Sequence, residues 1–186
     1  MKISALLITI FSLSGCSSFG PSYESINAGA IKGKLVVRWI EPDLFIFTPD
    51  KLSPLAFTRA NGSVITPGEM ITDGGSIPRP MWAFRSYSPW GYAPAFIIHD
   101  WLFRAKKCQL PEASDYTLEG AAQVMTEVMK TMMESGKVEK DPRTISLMHA
   151  AVVSSFAQKV WDEPICLPVP AAFERRAIFQ YEISFP

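Results

Sequence analysis

Hydrophobic positions fall into three regimes along this chain of 186 residues. An apolar run with interspersed Ser and Thr occupies residues 3–13. From 34 to 66 the apolar residues come in short bursts, at 34–40, 44–48, 55–58 and 63–66. Pro42-Asp43, Pro49-Asp50 and Asn61-Gly62 separate these bursts and carry turn chemistry. Short extended runs between turns predict a small β-meander, and Asn61-Gly62 between two of them predicts a tight hairpin. Residues 67–92 are dense in Pro, Gly and aromatics and predict an ordered, irregular loop.

Beyond 92 the period lengthens to that of a helix. Ala95-Phe96-Ile97-Ile98 sits inside a predicted helix over about 93–105. A second helix runs from near Pro111 to Glu134, where Gly136 supplies a C-cap. Its inner stripe is Leu118, Ala122, Met125, Met129 and Met132, at helical spacing. A third opens with Asp141 as N-cap and Pro142 at the first helical position, then continues to about 161. Ile145, Met148, Val152, Phe156 and Val160 mark its inward face. The proline-punctuated remainder predicts loop and a short terminal helix. The expected class is α+β: a small N-terminal β-meander followed by a three-helix unit, in a single globular domain over 31–186.

The first residues bear on compartment. Met1-Lys2, the apolar run and Leu13-Ser14-Gly15-Cys16 have the layout of a secretion signal too short to span a bilayer. The ending resembles the bacterial lipobox, which implies removal of 1–15 and diacylation of Cys16. Residues 16–30 then form a lipidated tether, and Ser17 after the cysteine points to the outer membrane, on its periplasmic face. Two acyl chains anchor stably where one is marginal. Of the 3 cysteines, Cys108 and Cys166 remain. In an oxidising compartment a disulfide is favoured over two free thiols.

Charge narrows the partners. Lys+Arg and Asp+Glu number 18 each, so no basic field invites nucleic acid. The sequence has no HExxH, CxxC, G-x-S-x-G or phosphate-cradling loop, which argues against zinc, α/β-hydrolase and nucleotide chemistry.

The chemistry that remains gathers around Thr72-Asp73-Gly74-Gly75-Ser76-Ile77-Pro78 and His99-Asp100-Trp101-Leu102. His99 interrupts an apolar stretch directly before an acid, and an unpaired buried charge is costly. Extending the stripe of the second helix backward lands on Asp115. One reading turns Asp115 toward the preceding helix, where it would hydrogen-bond His99 and fix its tautomer. The other makes Ser114 or Asp115 the N-cap of a helix that starts later. Asp100 is either an exposed i,i+4 partner of Arg104 or a ligand of a hard cation such as calcium. Asp73 with the Gly74-Gly75 backbone could complete that oxygen set, or simply form a tight turn. His149 reads as a packing residue of the third helix.

Two resemblances follow from these residues. The pattern Ile65-Thr66-Pro67-Gly68, Thr72 to Arg79, Trp82 and residues 95–103, with an acid like Asp115 on the next helix, resembles a phage- and prophage-associated family known as domain of unknown function 1353. It spans roughly 34–161, and a lipobox is a departure from many members. The order of an Asp-Gly loop, an aromatic link, a His-Asp helix and a further Asp is also similar to bacterial secreted phospholipase A-two enzymes. That resemblance implies a phospholipase A-two-like helix pair, His99 as general base, Asp115 as its orienting acid, and a calcium site of Asp100, Asp73 and the carbonyls of Gly74 and Gly75. The expected function is a membrane-anchored calcium-dependent hydrolase of phospholipid or other acyl esters. The alternative is a non-catalytic, prophage-derived envelope lipoprotein that binds a protein or glycan partner. A third reading makes Ser76 a nucleophile activated by His99.

Overall fold

The computed structural model describes residues 20–41, 44–72, 91–111, 116–171 and 176–186. Its sheet is organised on one long strand, β1 (Ala30–Ile40). β1 pairs antiparallel with β2 (Leu44–Phe47) through 37–40 and with β3 (Ala56–Thr58) through 30–32. β4 (Val64–Ile65) adds to β3, and β5 (Met70–Thr72) adds to β2. The last strand, β6 (Ala177–Phe185), returns to lie along β1 from Gly33 to Ile40.

One strand serves three neighbours because it changes partner at Gly33. There φ is +89°, and a Cβ would stand 2.1 Å from the Pro54 carbonyl oxygen, so only glycine fits. Lys34 N–H then donates to Ser53 O at 2.8 Å. The expected Asn61-Gly62 hairpin is present between β3 and β4. Arg59 N–H donates to Ser63 O at 2.8 Å, and Gly62 takes φ +85°.

The α+β class holds, with two added strands. β5 falls inside the stretch expected to be irregular, and β6 replaces the expected terminal helix. β6 alternates, with Tyr181, Ile183 and Phe185 registered opposite Val37, Leu35 and Gly33. A period of two in β-branched and aromatic residues is a strand signal, which the nearby prolines obscured.

Among the described residues four helices lie between β5 and β6: α1 (Ala93–Lys107), α2 (Leu118–Glu134), α3 (Pro142–Val152) and α4 (Ser155–Asp162). α2 starts later than expected. Thr117 has extended backbone and its hydroxyl accepts Gly120 N–H at 3.0 Å, so neither Ser114 nor Asp115 is the cap. The expected third helix is two. The Val152-Val153-Ser154-Ser155 run breaks it, because β-branched and hydroxyl residues weaken a helix interior. Ser154 caps the restart, accepting Ala157 N–H at 3.3 Å. Ile145 and Met148 are buried as expected, whereas Phe156, beyond the break, is 69% exposed.

α2 lies at the centre of the helical layer, against α1, α3 and β1. Its stripe is buried as expected, but so are Thr126, Glu127, Lys130 and Thr131 on other faces. Each of these polar groups has a partner. Lys130 Nζ donates to the carbonyls of Tyr23 and Ile26 at 2.9 and 2.8 Å, and Thr131 Oγ1 accepts Gly29 N–H at 2.8 Å. Glu127 accepts two bonds from Arg59, Nε and Nη2, both at 2.7 Å. Residues 20–29 are therefore not a free tether. They form a single 3-10 turn, Tyr23–Ser25, and place Tyr23 and Ile26 in the core.

α3 starts as expected. Asp141 Oδ2 accepts Thr144 Oγ1 at 2.7 Å and Oδ1 accepts Arg143 N–H at 3.1 Å. The Thr144 hydroxyl bond, followed by the backbone bonds, lowers the Asp141 pKa below its ordinary 3.8. A depressed carboxylate stabilises the fold above its unfolded value and loses that effect as pH falls through the folded one. Asp141→Ala should cost about 1 kcal/mol at pH 7. Urea unfolding should show the gap from wild type shrinking below the ordinary carboxylate range; a gap constant down to pH 2 would remove the charge from the account.

Candidate functional site

α1 forms from a nearly continuous apolar run with Pro94 in its first turn, and its inner face carries His99 into the core. The His99 ring lies 4.7 Å from that of Phe103, one turn on, and Phe103 meets Trp161 of α4 edge-on at 4.7 Å. This aromatic stack fixes the imidazole. His99 is 6% exposed, and among the described residues its buried Nε2 has no hydrogen-bond partner. Its Nδ1 is 3.8 Å from Asp100 Oδ1, near for an ion pair but beyond hydrogen-bond length.

Asp100 is positioned from the sheet. Thr72, the last residue of β5, donates from Oγ1 to Asp100 Oδ2 at 2.6 Å. Arg104, the expected surface partner of Asp100, instead donates from Nη1 to Leu167 O at 2.6 Å. His99 and Asp100 thus sit side by side, one held by aromatic packing and the other by a strand hydroxyl.

Both line a cavity of about 490 Å³ between α1, the end of α3, α4 and the segment after it. Its other walls are largely apolar: Phe103, Val152, Phe156, Val160, Ile165 and Leu167. The far wall is stapled to the end of α1. Cys108 is disulfide-bonded to Cys166, with Cα atoms 4.8 Å apart. Lys106 Nζ donates to Trp161 O at 2.7 Å, and Lys107 lies 3.8 Å from Glu163.

Of the residues singled out from the sequence, the structure brings together His99 and Asp100. Asp73, Gly74, Gly75, Ser76, Asp115 and Cys16 lie outside the described residues. α2 begins at Leu118 behind its Thr117 cap, later than the start near Pro111 expected from the sequence. His149 is buried and its Nε2 is 2.9 Å from Glu119 Oε1, tying α3 to α2 as a packing residue does. Thr72 went unrecognised as the residue that positions Asp100, as did α4 as a cavity wall. The alternation of Met70-Ile71-Thr72 was the available signal for the first; the break after Val152 hid the second.

Calcium binds six to eight oxygens. At this position the described residues supply the Asp100 carboxylate and the Thr72 hydroxyl, and nowhere among them do three His, Cys, Asp or Glu side chains gather as a metal site. Alone, they do not make up a calcium shell. What the arrangement can do without one is proton transfer. When Nδ1 carries the proton beside Asp100, Nε2 is left as an acceptor on a residue that lines the cavity.

No helix among the described residues is long and apolar enough to cross a membrane. The family described as "Protein of unknown function (DUF1353)" matches residues 52–152, from the turn before β3 to the end of α3. No curated protein and no solved structure matches the chain.

Proposed function

For a chain that belongs to this DUF1353 family, we propose hydrolysis of phospholipid or other acyl esters at the envelope surface, with His99 as general base. One observation carries the reading: His99, a buried imidazole whose Nε2 has no hydrogen-bond partner among the described residues, belongs to the lining of an apolar cavity. The cavity is within the range of small-molecule sites and suits an acyl chain, with the ester near His99. Nε2 would take the proton of an attacking water, and the Asp100 carboxylate would stabilise the imidazolium that forms. Thr72 would hold Asp100 in place. Diacylation of Cys16 would keep the protein on the periplasmic face of the outer membrane, beside its substrate. Calcium is a separate arm of the proposal, with Asp100, Asp73 and the Gly74 and Gly75 carbonyls as the ligands to test.

The test is fatty-acid release from phospholipid mixed micelles by the purified full-length protein, with calcium and with chelator, beside His99→Ala. Release should fall by about 100-fold or more in the variant with melting unchanged, the range expected for a lost general base. Insensitivity to chelator would remove calcium alone. No release from folded protein across several headgroups would sink the hydrolase and favour an envelope lipoprotein that binds a protein or glycan.

A further inference from the structure

The cavity opens through a lip that hydrolysis by itself does not explain. Phe156 on α4 is 69% exposed, and Ile165 and Leu167 on the facing segment are each 56% exposed, yet all three line the cavity. Large apolar side chains held in water on both sides of one opening mark a surface that is covered in use.

The path of the N-terminal segment says what covers it. Gly20 packs on the ring of His149, so closely that a Cβ there would lie 3.1 Å from Nδ1. His149 belongs to α3, and Ala151 and Val152, within the next turn, line the cavity. Cys16 precedes Gly20 by four residues, which span at most about 14 Å. A helix is about 10 Å thick, so an acyl-bearing Cys16 is confined to within little more than the width of α3. The lipid surface that holds Cys16 is then beside the helix that forms the cavity wall.

Charge agrees with an apolar contact. The cations on the cavity wall are already engaged, Arg104 by the Leu167 carbonyl and Lys107 by Glu163. Attraction to this surface therefore needs no anionic headgroup, unlike binding through a polybasic patch.

We propose that the lip formed by Phe156, Ile165 and Leu167 docks on the bilayer surface and opens the cavity toward its acyl chains. This rests on the acylation of Cys16 and not on catalysis. Docking orients the protein with α4 and the 163–167 segment toward lipid.

The experiment uses the full-length acylated protein in phosphatidylcholine vesicles doped with a diazirine-bearing phosphatidylcholine. Photolabel is expected on peptides spanning 151–167 and not at Leu52 or Val64, which are exposed apolar residues elsewhere, at 97% and 57%. Phe156→Asp with Leu167→Asp should reduce labelling of 151–167 about tenfold, since each change removes an apolar side chain from the contact. Label should be as strong in high salt as in low. An acylated chain labelled elsewhere, or equally labelled in the double variant, overturns the docking surface. A mature mass lacking acyl chains overturns the proposal at its premise. Fatty-acid release is not part of the readout, so an inactive protein labelled at the lip leaves docking standing while hydrolysis fails.

Discussion

Serine at both Cys108 and Cys166 should lower the unfolding free energy by about 4 kcal/mol, the loop-entropy value for a link of this span. The bond joins residues 58 apart in sequence, from the end of α1 to the cavity wall. The ion pairs of that wall cannot replace it. Lys106–Asp162 and Lys107–Glu163 are each 3.8 Å apart with half-exposed or exposed carboxylates, and such pairs contribute little in water. The loss should appear as a lower urea midpoint, with a steeper slope because the unlinked unfolded chain exposes more surface. Reduced wild type should match the double variant, and a loss of two hydrogens in mass should mark the oxidised chain. A reduced protein as stable as the oxidised one would show that the wall stands without its staple. Because Ile165 and Leu167 flank Cys166, the variant should also weaken binding of a fluorescent fatty acid in the cavity.

The second large effect concerns the hairpin rather than the cavity. Glu127→Gln should destabilise by about 3 kcal/mol, the low end for breaking one partner of a buried ion pair. The low end applies because the Arg59 side chain keeps 16% exposure while Glu127 keeps 4%. Glu127 is buried on α2, and its two bonds from Arg59 hold the β3–β4 hairpin against the helical layer. Removing the charge takes the ionic partner from a guanidinium that cannot deprotonate. Arg59→Met combined with Glu127→Leu should recover most of the loss, since the cost lies in the unpaired charge and not in the missing pair. Chemical denaturation of the two singles and the double measures this directly. Additive losses in the double variant would refute it.

How much of this was legible beforehand varies with the range of the interaction. The hairpin at Asn61-Gly62, the Asp141-Pro142 start of α3, the Gly136 stop and the α2 stripe are local rules, written within a few residues of where they act. Thr117 as the true cap of α2 was also local, but competed with Ser114 and Asp115 for the same role. The prediction of one helix over 142–161 failed at a break whose residues were visible, because a continuous apolar period outweighed two valines and two serines.

The site divides in the same way. His99-Asp100 was conspicuous in sequence because a titratable pair interrupts an apolar run. Cys108 and Cys166 could be matched by compartment and number, while their closeness came from the way α4 turns the chain back along α1. Nothing local announces that Thr72 meets Asp100 across 28 positions, or that Arg59 meets Glu127 across 68. Nor does it announce that residues expected to be a tether supply carbonyls to a buried Lys130. By itself the sequence determined the class of fold, the ends of most helices and the residues able to carry proton chemistry, since backbone propensity and side-chain pKa are properties of short segments. Tertiary structure alone decided which polar group answers which, where the cavity opens and what walls it, because desolvation forces buried groups to find partners wherever packing brings them together.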